Sequence, residues 1–401
     1  MIGIKLVNHE FYNEAEDIIR MFFGKCEILR LDEALAKSQS FLPEDAILLT
    51  SRVELKNGCC TCISEYKQGG KHNTSSEIGY VEQEDKKALK RLVKKSMYKL
   101  LSVVTDKEFP WGILTGIRPV KIVHEYINNG MAMEDIPESF MKEYMASEDR
   151  ATLAAEIARI ERPFIFPYDD NVISIYVGIP FCPTRCHYCS FTSNSITGFR
   201  KLVEPYLDSL MGEIRETAGY LKRTGYRVQS IYIGGGTPTS LEADQLDRLL
   251  KCIEQSFGNQ AVEFTCEAGR PDSITMDKLR VLKENKITRI SINPQSMNNE
   301  ALKRIGRAHD ASQIVDSFVQ ARAAGFDNIN MDIILGLPGE SIEQLAYTME
   351  EIKKLDPESV TVHTMAIKRA SVYNEELGSS GIADDEHVSA MMEYAKSFLR
   401  Q

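Results

Sequence analysis

The chain has 401 residues, 43% of them hydrophobic and 26% charged, a make-up that excludes disordered and collagen-like classes and suits two folded domains. A formal net charge of -10 at pH 7 argues against a protein that coats nucleic acid and favours a small-molecule partner. No apolar run reaches the ~18 residues of a membrane span, and the N-terminus is acidic where a leader would be basic, so no membrane partner and a cytoplasmic location are expected. In a reducing compartment the nine cysteines point to metal binding or catalysis rather than to disulfides.

The first part, residues 1–165, reads as a separate α+β N-terminal domain without a legible functional motif. In GCCTCISEY, Cys59, Cys60 and Cys62 suit a strand with one buried face, with a second metal site as the alternative. From about Gln83 to Val104 the spacing predicts a helix. Leu89, Leu92, Val93, Met97, Leu100, Leu101 and Val104 recur on one side, which leaves Lys86, Lys87, Lys90, Arg91, Lys94, Lys95 and Lys99 on the other. That basic side reads as a solvated face rather than a surface for an acidic partner. A helix follows Pro119, and further helical sequence leads to ERPFIFPYDDN, where two prolines and an acidic turn mark a domain border near Phe166.

From Val172 onward, short β-branched runs alternate with longer amphipathic stretches. The runs are Ile173–Val177, Val228–Ile233, Val262–Cys266, Thr288–Ile292, Asn328–Leu335 and Val360–His363. Six βα units in series predict a parallel sheet curled into a partial (β/α)6 barrel over 166–380, with chemistry at the C-terminal ends of the strands. Residues 381–401 read as a terminal helix, the start of a further C-terminal domain.

Directly after the first of these strands comes YVGIPFCPTRCHYCSF, a CxxxCxxC of Cys182, Cys186 and Cys189 on a loop that Pro180 and Pro183 keep from becoming helix. Three thiolates in one short loop can converge on one metal centre. A structural zinc site wants four protein ligands and a redox pair wants only two cysteines; His187 stands as a candidate fourth ligand. A cubane cluster held by three cysteines leaves one iron free to be chelated by an amino-acid-like cofactor.

The later strand ends carry polar or glycine-rich sequence. IYIGGGTPTSL places Gly234, Gly235 and Gly236 where backbone can approach a ligand closely. TCEAGRP brings Glu267, SINPQS brings Gln295, LKRIGRAHD brings Arg307, and NMDIILGLPGE brings Asp332. Singly each reads as a surface loop or a helix cap. Together they supply complementary partners for an ammonium, a carboxylate and ribose hydroxyls at one rim.

These motifs, with WGILTGIRPVKIVH upstream and VTVHTMAIKRAS downstream, resemble the radical S-adenosylmethionine (SAM) superfamily. Within it they are similar to the oxygen-independent coproporphyrinogen III oxidase (dehydrogenase) group and its HemZ-type branch. The resemblance runs from about Phe109 to Arg369. It implies a 4Fe-4S cluster on Cys182, Cys186 and Cys189. It further implies SAM contacts from Tyr176, Tyr188, Gly235, Gly236, Thr237, Glu267, Gln295, Arg307, Asp332 and Ala366, with Arg307 paired by charge to the SAM carboxylate.

The implied reaction is reductive cleavage of SAM to methionine and a 5′-deoxyadenosyl radical, which takes hydrogen from a propionate β-carbon of coproporphyrinogen III. Loss of CO2 and one electron leaves a vinyl group, and two rounds give protoporphyrinogen IX in heme biosynthesis. The implied partners are the tetrapyrrole and a low-potential electron donor such as flavodoxin or ferredoxin. Two positions depart from the decarboxylating members. Phe191 stands where they carry a further cysteine, and Gly178 where they carry histidine. The CxxCxF pattern is shared with the heme-chaperone branch, so a heme-binding delivery protein is the alternative, followed by a radical SAM enzyme acting on another substrate.

Overall fold

A computed structural model of the chain describes residues 1–31, 43, 45–56, 58–81, 85–116, 118–376 and 384–400. The chain divides into two compact units, Met1–Tyr168 and Asp169–Gln401, each with its own hydrophobic core.

The first unit opens with β1 (Ile2–Val7), α1 (Tyr12–Phe23), β2 (Ile28–Leu31), β3 (Ile47–Lys56), β4 (Cys59–Gln68) and β5 (Lys71–Tyr80). It continues with α2 (Lys86–Thr105), α3 (Pro119–Asn128), α4 (Ile136–Tyr144) and α5 (Glu148–Ile165). Its sheet runs β2-β1-β3-β4-β5, parallel between β1 and its two neighbours and antiparallel from β3 to β5. The cysteine-rich sequence is strand β4. Cys60, Cys62 and Tyr66 alternate inward with period two, and the Cys60 and Cys62 sulfurs lie 3.8 Å apart in the core.

Helix α2 starts at Asp85, whose side chain accepts from the Ala88 amide; Gln83 lies outside the described residues. Its basic side is not simply solvated, as the spacing had suggested. Lys90 pairs with Glu14, Arg91 with Glu143, and Lys95 and Lys99 with Glu77, while Lys94 donates to Thr115. Helix periodicity places these cations on one side but does not show that the carboxylates of α1, β5 and α4 come to meet them.

The second unit contains β6 (Val172–Ile179), the two-residue strands β7 (Phe181–Cys182) and β8 (Asn194–Ser195), α6 (Arg200–Thr224) and β9 (Arg227–Gly235). Then follow α7 (Ala243–Phe257), β10 (Glu263–Gly269), α8 (Met276–Glu284), β11 (Arg289–Ile292), α9 (Asn299–Arg304) and α10 (Ala311–Ala323). The last elements are β12 (Ile329–Leu335), α11 (Ile342–Leu355), β13 (Ser359–Thr364), α12 (Val372–Glu376) and α13 (Asp385–Leu399). Strands β6, β9, β10, β11, β12 and β13 lie side by side in that order, all parallel, as a curled half-barrel.

The central strands are covered on both faces, which explains their unbroken apolar runs: every residue of β12 except Asp332 is buried. Three helices begin with reciprocal capping boxes, at Glu242/Gln245, Asp310/Gln313 and Ser341/Gln344. These caps fix where the loops beyond strands β9, β11 and β12 end. Helix α13 packs into the same unit, with Met391 fully buried and its sulfur 3.3 Å from the Gly336 amide. The border expected near 380 and the terminal Gln401 lie outside the described residues. Among the described residues no helix is long and apolar enough to cross a membrane.

Candidate functional site: a three-thiol pocket at the strand ends

The cysteine loop is closed at its base. Strand β7 pairs with β8, the Asn194 amide donates to Pro180 O at 2.8 Å, and the Ile196 amide donates to Cys182 O at 2.9 Å. The glycine loop after β9 is stitched to the same base, with the Gly236 amide on Ile179 O and the Thr237 amide on Phe181 O, both at 2.7 Å. Gly235 has φ +104°, and a Cβ on Gly236 would stand 2.5 Å from Phe181 O and 3.0 Å from Cys182 Sγ. Only a residue without a side chain permits this approach. Thr237 Oγ1 donates to Cys182 Sγ at 3.4 Å.

A cavity of about 390 Å³ opens at the C-terminal ends of the strands. Its walls include Cys182, Cys186, Cys189, Tyr188, Gly235, Gly236, Thr237, Glu267, Gln295, Arg307, Asp332 and Ala366. Tyr176 is not among them. It lines an adjoining cavity of about 600 Å³ with Gly178, Tyr206 and Tyr232, and Phe191, Gly235 and Glu267 border both spaces. His187, the candidate fourth ligand, is absent from both walls. Its Nδ1 lies 3.0 Å from Arg304 O and its ring packs edge-on against Tyr373, so the residue serves loop packing.

The pocket's polar groups are held firmly. Arg307 Nη1 donates to Asn293 O at 3.1 Å and Nη2 to Tyr188 Oη at 3.0 Å. Burial pushes the Tyr188 phenol up to about 12, against the pull of Arg307, so it stays protonated at neutral pH. Tyr232 Oη donates to Glu267 Oε1 at 2.8 Å, and Tyr176 stacks on the Tyr232 ring. Burial raises the Glu267 carboxyl, the Tyr232 hydrogen bond opposes that shift, and Asp332 adds to it. Asp332 Oδ1 accepts from Asn330 at 2.7 Å.

Gln295 has a left-handed backbone, φ 68°, and is bridged to β12 through Asp332 O and the Ile334 amide. Gln295 Oε1, Asn293 Oδ1 and Arg307 Nε are buried with no hydrogen-bond partner among the described residues. Buried polar atoms without partners are costly, so these three, with Ser193 Oγ as a fourth around the same cavity, mark a site built for a polar ligand.

A profile of the Radical SAM superfamily matches residues 176–352. The chain is 36% identical over 394 residues to the oxygen-independent coproporphyrinogen-III oxidase-like protein HemZ of Bacillus subtilis, covering 96% of this chain and 77% of that one. The chain belongs to the radical SAM superfamily and its HemZ group. It is also 36% identical over 203 residues to the heme chaperone HemW of Bacillus subtilis, covering 50% of this chain and 52% of that protein. Among solved structures it resembles the coproporphyrinogen III oxidase HemN of Escherichia coli, a radical SAM enzyme, with a TM-score of 0.53, 28% identity, and coverage of 61% and 56%. The chain thus spans only about half the length of the HemW and HemN relatives.

The cofactors of this radical SAM protein are a 4Fe-4S cluster and SAM, and its pocket fits them. Among the described residues no three His, Cys, Asp or Glu side chains close around a single ion, and a cubane, which gives each thiolate its own iron, asks for no such closure. Burial raises the Cys182 and Cys189 thiols, which metal binding would offset by taking them as thiolates. The unpaired atoms of Asn293, Gln295 and Arg307 offer two acceptors and one cationic donor to an amino acid, a ribose or an adenine.

Asn293, Arg270, His363 and Lys368 also line the pocket and were not singled out from the sequence. Each lies within four residues of one that was, so reading every position from the strand end to the next cap would have reached them.

Proposed function

We propose that this chain cleaves SAM reductively in the three-thiol pocket and uses that chemistry to decarboxylate two propionates of coproporphyrinogen III, giving protoporphyrinogen IX. Cys182, Cys186 and Cys189 are the cluster ligands in this reading. The cluster and SAM supply one-electron reductive cleavage of a carbon–sulfur bond when bound.

The chain's own groups bind and orient. Arg307, anchored by Asn293 O and Tyr188, offers its unpaired Nε–H and full charge to the SAM carboxylate. The glycine loop from Gly235 to Thr237 faces the methionyl amine. Gln295, Glu267, Asp332, Tyr188 and Ala366 take the ribose and adenine, and Tyr176 contributes from the adjoining cavity. A preformed pocket sets the distance and orientation of the reacting groups. Each propionate loses CO2, one hydrogen atom, which SAM cleavage would take up, and one electron, which would pass to a separate one-electron acceptor, in becoming a vinyl group.

The observation that carries the substrate reading is the reach of the match to the oxidase-like HemZ, which extends across both units, whereas the HemW match, like that to the Escherichia coli oxidase, covers half of the chain. A second reading, heme binding and delivery, is favoured by Phe191, which is 68% exposed and borders both cavities where the decarboxylating members of the group carry cysteine. The test is an anaerobic incubation of the reconstituted protein with SAM, a strong reductant and coproporphyrinogen III, followed by mass analysis of the porphyrin. Stepwise loss of two CO2 supports the oxidase. An unchanged porphyrin, together with stoichiometric binding of added heme, supports delivery.

A further inference from the structure

Resting on the thiol pocket as the cluster site, we infer that Arg270 is a positioning residue for the cluster, fixing the cysteine loop and holding a permanent positive charge against Cys186 that favours the reduced state. Arg270 follows the end of β10 and is 3% exposed. One edge of its guanidinium serves the cysteine loop: Nη1 donates to Thr184 O and to Thr184 Oγ1, both at 2.8 Å, and reaches Cys186 Sγ at 3.9 Å. The other edge is gripped by Asp272, with Nε on Oδ1 at 2.9 Å and Nη2 on Oδ2 at 2.8 Å. His309, buried behind, brings Nδ1 to 3.5 Å from the same carboxylate.

The arrangement has two consequences. The fork to Asp272 leaves the side chain one orientation, so the middle of the cysteine loop, 86 residues away in sequence, is tied at Thr184 to the barrel rim. It also orders the ion pair with its positive end toward the thiol and its negative end away. Adding an electron to a cluster adds negative charge, and a buried cation in contact with a ligand sulfur favours that state more than the more distant carboxylate disfavours it. Because a guanidinium does not titrate, the cation itself is kept across the working pH range. A lysine has charge without the fork, and a methionine has neither.

The experiment is an EPR-monitored redox titration of the reconstituted full chain without SAM, comparing wild type, Arg270→Met and Arg270→Lys, with iron and sulfide counted in each. The expected result for Arg270→Met is a midpoint lower by about 59 mV or more, a tenfold fall in the reduced-to-oxidised ratio at fixed potential. Arg270→Lys should stay near wild type. If Arg270→Met retains no iron, the neutral donor variant Arg270→Gln is titrated in its place with the same expectation. Full iron content with the same midpoint in every variant would overturn the role given to Arg270, even if thermal stability falls. A wild-type protein that takes up no iron would instead overturn the cluster reading itself.

Discussion

Arg307 donates to the phenol of Tyr188 across 3.0 Å, and this hydrogen bond, beside that from the His187 amide to Ile305 O, joins the cysteine loop to the segment that follows α9. The residue before Cys189 and the proposed carboxylate binder are therefore parts of one buried unit. Replacing Arg307 by Met removes a charge-assisted contact of about 1.5–3 kcal/mol. SAM affinity should fall roughly 10- to 100-fold while iron content stays at the wild-type level, as read by isothermal titration of the reconstituted protein. Equal affinity in the two proteins would take Arg307 out of the site.

Gly236 offers a test of the cradle. An alanine there must push back Phe181 O, Ile179 O or Cys182 Sγ, each within 3.0 Å of the new methyl, and two of the three are backbone. Overpacking of this kind costs about 1–3 kcal/mol. Gly236→Ala should lower the denaturation midpoint accordingly and reduce iron uptake on reconstitution. A variant that matches wild type in both would show that the two loops are not held as closely as described.

The six strands of the half-barrel were legible because β-branched runs and amphipathic stretches alternate with the right lengths, and the observed strands begin and end within three residues of the sequence reading. Twelve of the thirteen expected site residues share one cavity because strand ends of a parallel barrel converge whatever lies between them. Three features were not legible. His187 turns away toward Arg304 O, a direction that depends on a contact 117 positions distant. Gln295 adopts a left-handed backbone that its neighbours in β12 impose and its own type does not favour. The cations of α2 meet carboxylates brought from three other elements.

Glu340, after β12, predicts a pH dependence of stability. Its side chain is buried and accepts from Ser296 Oγ at 2.5 Å, and its carbonyl meets His387 Nε2 at 3.0 Å. Burial pushes its carboxyl up to about 7, only partly opposed by Ser296. The folded state therefore prefers the protonated form, so the stabilisation is complete below the unfolded value of 4.5 and is lost as pH rises through about 7. A shift of this size corresponds to roughly 3 kcal/mol. Glu340→Gln should flatten the fall in urea midpoint between pH 5 and 8, both values set by roughly this window. A wild-type midpoint that does not decline across that interval would show the group is ionised in the folded state.

The most direct test of the three-thiol pocket is SAM cleavage. The full chain, reconstituted anaerobically with iron and sulfide, is mixed with SAM and a strong reductant, and 5′-deoxyadenosine is quantified beside Cys186→Ala prepared in the same way. The account predicts 5′-deoxyadenosine and methionine in equal amounts from the wild type, rising on addition of coproporphyrinogen III, and none from Cys186→Ala. A loaded wild-type protein that forms no 5′-deoxyadenosine, or a Cys186→Ala variant that forms as much, would contradict it.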